Sequence, residues 1–99
     1  MNDRTRHTLN IMSQRWMLHV LMILLKGPYT FSGLAKQLEG MSEKVLSKRL
    51  KELLREDVVT REVTPGPPIQ VVYRLTSKGV ALREIMSKLE AWSNHEDRW

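Results

Sequence analysis

The sequence predicts a single α+β domain, mainly helical, on three observations. Apolar residues recur at helical spacing over several stretches of a 99-residue chain. Two short β-branched runs, residues 58–63 (VVTREV) and 70–75 (QVVYRL), flank a loop containing Pro65, Pro67 and Pro68. Gly27-Pro28 and Gly40 then punctuate the helical stretches where a helix would stop.

The elements follow in chain order. Residues 1–15 are polar, with only Leu9, Ile11 and Met12 as a weak helical face, which predicts a frayed start and a short helix. From Trp16 the run WMLHVLMILLK is apolar nearly all round, as a central buried helix should be, with Trp16 in the core and His19 a structural histidine inside that helix. Thr30 and Ser32 are both candidate caps for a short second helix carrying Leu34, Ala35 and Leu38 and closed by Gly40. Ser42 caps a third helix over about residues 42–56, with Glu43 placed where a carboxylate suits the helix dipole. Residues 64–69 cannot continue a ladder because proline lacks the amide donor, so the two β-runs form a two-stranded hairpin. Thr76 caps a last helix, about residues 76–95, whose apolar residues Leu82, Ile85, Met86, Leu89 and Trp92 make one narrow seam. Residues 96–99 are a short tail in which Trp99 is expected to be disordered.

Composition limits the function. Sixteen Lys and Arg against eleven Asp and Glu leave a net charge of +5, which favours a polyanionic partner. No apolar run reaches the ~20 residues of a membrane span, so a protein of the cytoplasm is expected, nucleoid-associated and with no membrane partner. The absence of cysteine excludes disulfides, thiolate metal sites and thiol-based sensing. His7, His19 and His95 lack ligand spacing, and no nucleophile elbow, phosphate-binding glycine loop or zinc-protease motif occurs. The sequence therefore predicts no enzyme, no metal and no cofactor.

The third helix carries the functional signal. At about 100° per residue, Lys44, Ser47, Lys48, Lys51 and Arg55 fall within a ~100° sector, and Leu46, Leu50, Leu53 and Leu54 lie on the other side. A helix entering a major groove needs that division, with long donors outward and an apolar face anchoring it. A basic stripe alone is more often a solvated face. Here a short helix and tight turn precede it and a hairpin follows, which are the parts of a winged helix-turn-helix.

The run RWMLHVLMILLKGPYTFSGLAKQLEGMSEKVLSKRLKELLREDVVTREV, followed by Pro-Pro, Tyr-Arg-Leu-Thr and Gly79, resembles the HxlR family of winged helix-turn-helix transcription regulators, relatives of the MarR family. The resemblance spans about residues 14–92. It implies a homodimer on operator DNA read as an inverted repeat, with recognition helices in successive major grooves, wings over minor grooves and terminal helices forming the dimer. It carries Ser42, Lys44, Ser47, Lys48 and Lys51 onto groove-facing positions. Arg49 matches a family arginine but lies off the stripe, as either a phosphate contact or a brace for the helix. Arg61 could reach phosphate or pair with an acidic neighbour. Leu9, Met12, Ile85, Leu89 and Trp92 are the expected dimer contacts.

The chain departs from the family in four places. Ser13-Gln14-Arg15 replaces the usual glycine before the Trp, and Asp57 stands where a Gly usually ends the recognition helix. The wing loop carries no Lys or Arg, leaving Arg61 and Arg74 as flanking phosphate candidates. The N-terminal cysteine of redox- or aldehyde-responsive members is missing, and the effector is not readable from the sequence. Two other readings remain: a winged-helix protein-interaction module, and a nonspecific architectural DNA binder.

Overall fold

The computed structural model describes residues 1–95. Its elements are α1 (Asp3–Met12), α2 (Met17–Leu24), β1 (Tyr29–Thr30), α3 (Phe31–Gln37), α4 (Glu43–Arg55), β2 (Val59–Thr64), β3 (Gln70–Leu75), α5 (Ser77–Val80) and α6 (Arg83–Ser93). The expected tail and Trp99 lie outside the described residues.

α4 packs its leucines inward. Leu46, Leu50 and Leu53 are buried beside Met17, Val20, Leu21 and Leu24 of α2 and Leu34 of α3, with Val58, Val59 and Leu75 closing the core from the sheet side. At roughly 1.5–3 kcal/mol for each fully buried large aliphatic side chain, this cluster fixes which way α4 faces. α2 is less enclosed than its sequence suggests: Met17, Val20, Leu21 and Leu24 are buried, but His19 is exposed. His19 is thus not a core histidine. An eight-residue helix in a domain this small has too few neighbours to be covered on every side.

The caps explain the boundaries. Thr30, not Ser32, caps α3 by accepting from the Gly33 amide at 3.0 Å, and Ser42 caps α4 by accepting from the Val45 amide at 3.1 Å. α1 begins at Asp3 with Asn2 accepting from the Thr5 amide at 2.8 Å, so the N-terminus is less frayed than its polarity predicts. α4 ends in a Schellman motif: the Val58 amide donates to Leu53 O at 2.9 Å and the Asp57 amide to Leu54 O at 3.2 Å. Asp57 supplies the left-handed residue, φ +60°.

Two features depart from the sequence reading. The hairpin is part of a three-stranded antiparallel sheet of order β1-β3-β2, because Tyr29 and Thr30 pair with Tyr73 and Val72. Two residues between a Gly-Pro and a helix cap are too few to show strand periodicity. The last helix is also broken: Thr76 caps only the one-turn α5, accepting from the Gly79 amide at 3.2 Å, before α6 resumes at Arg83.

The break sits beside a close backbone approach. A Cβ on Gly79 would lie 2.4 Å from Val58 O and 2.8 Å from Leu75 Cδ2. That oxygen is already held by the Thr76 amide at 2.9 Å and the Thr76 hydroxyl at 3.1 Å, so it cannot retreat without losing bonds.

Gly79→Ala is therefore expected to destabilise by about 1–3 kcal/mol or more, through overpacking against fixed backbone. Asp57→Gly should act oppositely, stabilising by roughly 0.5–1 kcal/mol, because glycine takes the left-handed cap without a Cβ penalty. Urea unfolding of both variants checks the pair, and a stabilised Gly79→Ala or a destabilised Asp57→Gly contradicts this account.

Candidate nucleic-acid interface

Burying three leucines of α4 turns the opposite face to solvent. Lys44, Lys48, Lys51 and Arg55 are all exposed there, with Ser47 half-buried at the edge. None of the four cations forms an ion pair among the described residues. Their full charge therefore stands unneutralised on one side of a rigid helix, as a phosphate-lined groove requires. Ser42 spends one lone pair on the cap and keeps its O–H free to donate.

Arg49 does not belong to that face. Its side chain is only 8% exposed and its ion pair is with Glu52, one turn on. Its Nε donates to Arg15 O at 2.8 Å, across the turn between α1 and α2. Of its two readings the structure fills the brace, and its placement among the groove contacts is corrected accordingly. The sequence alone could not decide this, because the partner carbonyl is 34 residues away.

The turn it braces is unusual. Trp16 has φ +71°, a left-handed conformation that a bulky residue rarely adopts, and its ring is half-buried rather than in the core. The indole lies near Gly40, 3.8 Å from where a Cβ would stand, and 4.9 Å from the His19 ring. Arg15 and Trp16 were not singled out as site residues from the sequence. The signal available was the run Ser13-Gln14-Arg15, where the family resemblance led to an expectation of glycine.

In the wing, Arg61 is exposed on β2 opposite Tyr73 and forms no ion pair among the described residues. Arg74 is different, since its Nε donates to Glu62 at 3.1 Å across the hairpin. That exposed pair gives Arg74 an acidic neighbour, which Arg61 lacks. The loop end of the hairpin exposes Val63 and Ile69 rather than charge.

The expected dimer residues gather on one surface. Leu9 and Met12 of α1 and Ile85 and Leu89 of α6 line a shared apolar cleft of ≈ 270 Å³. Leu9, Ile85, Leu89 and Trp92 are 42–62% exposed, while Met12 is half-buried. Met86 lines the same cleft at its buried side, only 3% exposed, and anchors α6. No helix among the described residues is long and apolar enough to cross a membrane.

A cationic helix between a tight turn and a β-wing defines the class: a winged helix-turn-helix protein. The HxlR-like helix-turn-helix family profile matches residues 11–98, and the chain belongs to that family. It is similar to the HTH-type transcriptional regulator YodB of Bacillus subtilis (strain 168), 34% identical over 85 residues, 86% of this chain and 76% of that protein. It is also 40% identical over 93 residues to YvaP of the same organism, described as an uncharacterized HTH-type transcriptional regulator, covering 94% of this chain and 86% of that one. The structure of reduced YodB superposes with a TM-score of 0.86 at 32% identity, over 95% of this chain and 92% of that one. The chain is thus a DNA-binding transcription regulator of the HxlR type.

Removing Arg49 leaves Glu52 as an uncompensated buried carboxylate, whose Oε2 already lacks a partner. Arg49→Met should cost about 3–5 kcal/mol, and the double change Arg49→Met/Glu52→Leu should recover much of it. Denaturation of both variants tests the brace; a single mutant as stable as wild type would falsify it.

Proposed function

We propose that this protein is a sequence-specific regulator that binds operator DNA as a homodimer, with α4 of each protomer in a major groove. The observation carrying this reading is the set of four unpaired exposed cations on α4, opposite a leucine face that locks the helix to the core. Ser42, Lys44, Ser47, Lys48 and Lys51 are the base- and phosphate-facing candidates, and Arg61 a backbone contact from the wing. The α1–α6 apolar face, with Leu9, Met12, Ile85, Leu89 and Trp92, supplies the self-association surface. A dimer places two recognition helices on half-sites about one helical turn, or 34–36 Å, apart. The operator is then an inverted repeat, and the working compartment is the cytoplasm.

Selection of bound duplexes from a random library tests the whole reading. A two-fold symmetric consensus is expected, with affinity falling steeply as salt rises. A library that yields no consensus removes sequence specificity, and one whose consensus lacks symmetry removes the dimer.

The residues separate by role. Lys48→Ala should cost about 1–3 kcal/mol on the selected site and relax its sequence preference. Arg61→Ala should weaken selected and random duplexes by a similar factor. Titrations of both variants on both duplexes check the assignment, which fails if the two lose specificity equally.

A further inference from the structure

We propose that Tyr73 and Tyr29 are DNA-phosphate contacts, extending Arg61 into a row of donors that crosses the sheet from the wing to the edge beside α3. The inference rests on the DNA-binding reading above and adds two uncharged residues outside the recognition helix.

Strand register makes the row. Arg61 on β2 stands opposite Tyr73 on β3, and Tyr73 stands opposite Tyr29 on β1. Residues directly opposite in antiparallel strands share a face, so all three lie on one side of the sheet. The same alternation keeps acid off that side. Glu62 pairs with Val72, and its partner Arg74 with Thr60, which puts both on the other face. The hairpin residues that share the row's face are Val59, Val63, Val71 and Leu75, all apolar.

The two rings are held while their hydroxyls are free. Tyr29 and Tyr73 are half-buried and packed against the hydrophobic core, and the Tyr29 ring reaches the first turn of α3, where a Cβ on Gly33 would lie 3.4 Å from its Cδ2. Neither hydroxyl bonds to another described residue, and neither is a buried unsatisfied atom, so both oxygens reach solvent. A phenol with its body fixed in the core and its tip wet loses little rotamer freedom when it binds. Phosphate oxygens accept from tyrosine hydroxyls as they do from arginine.

Width selects backbone over base. Three strands spaced about 4.8 Å apart make a row about 10 Å long, wider than the ~6 Å minor groove. The major groove is taken by α4 in the proposed complex. The row therefore lies along a sugar-phosphate strand, where one cation with two neutral donors and no carboxylate meets a polyanion. Contacts of that kind fix the register of the protein on the duplex and carry no sequence information of their own.

The experiment is a salt series of binding constants for wild type, Tyr73→Phe, Tyr29→Phe and Arg61→Ala, on the selected duplex and on a random one. Each Phe variant is expected to weaken both duplexes by a similar factor, about 2- to 10-fold for one lost hydrogen bond. Because a hydroxyl is neutral, the slope of log K on log salt should stay at its wild-type value in both, whereas Arg61→Ala should flatten it by about 0.9 for each protomer. Phenylalanine keeps the packed ring, so the unfolding midpoints of the Phe variants should match wild type. Phe variants that bind both duplexes as wild type does overturn this proposal and leave the regulator reading intact. A loss confined to the selected duplex, a flattened slope or a lowered unfolding midpoint in the Phe variants does the same. Failure of the wild type to bind any duplex at low salt overturns the regulator reading and this one with it.

Discussion

The backbone of Val58 is the constraint on which the arrangement depends. Its amide closes the Schellman turn onto Leu53 O, while its carbonyl accepts from the amide and hydroxyl of Thr76 and abuts Gly79. The backbone of one residue therefore joins the end of α4, the start of the wing and the entry to α5. The side chain is buried in the same core as the leucines of α4. Burial of both polar groups is tolerated because both are bonded, and loosening either would expose the cost of an unsatisfied group, about 1–3 kcal/mol.

What the sequence made legible, and what it did not, follows from the range of the forces involved. The caps at Ser42 and Thr76 are local hydrogen bonds between residues three apart, and the leucine and lysine faces of α4 are a local periodicity; both were readable. The left-handed residue at Asp57 was readable because only a few residue types tolerate that turn. The third strand was not, since Tyr29 and Thr30 become a strand only through pairing with residues more than 40 positions away. Arg49 is the sharpest case. Its spacing put it off the basic stripe, but only the fold shows that the carbonyl it meets belongs to Arg15 and that Glu52 takes its charge. His19 and Trp16 erred the other way, because an apolar run cannot show which of its residues the small core leaves uncovered.

Charge is distributed by cancellation as much as by placement. Arg49 is spent on Glu52, Arg74 on Glu62 and Lys88 on Glu84, whereas Lys44, Lys48, Lys51 and Arg55 are left unpaired. The four form a compact group on one face of α4, although cations elsewhere, such as Lys26, Lys36 and Arg61, also form no ion pair among the described residues. The wing repeats the pattern in its own way: Arg74 has an acidic neighbour, Arg61 is left free, and the far end of the hairpin presents Val63 and Ile69. In the proposed complex, the exposed cations of α4 beside a wing whose far end is uncharged would localise attraction to the groove that α4 enters. Electrostatic steering would then orient that encounter.

The apolar face of α1 and α6 bears on the same helix by a short route. α1 carries Leu9 and Met12 towards the shared cleft, and on another side its His7 Nε2 stands 2.6 Å from the carboxylate of Glu56, the C-cap of α4. Lys78 of α5 reaches the carbonyl of that same Glu56 at 2.8 Å. The end of the recognition helix is thus contacted from α1 and α5 together. In a homodimer built on this face, the spacing of the two lysine faces would then be set by the same packing that holds the protomers together.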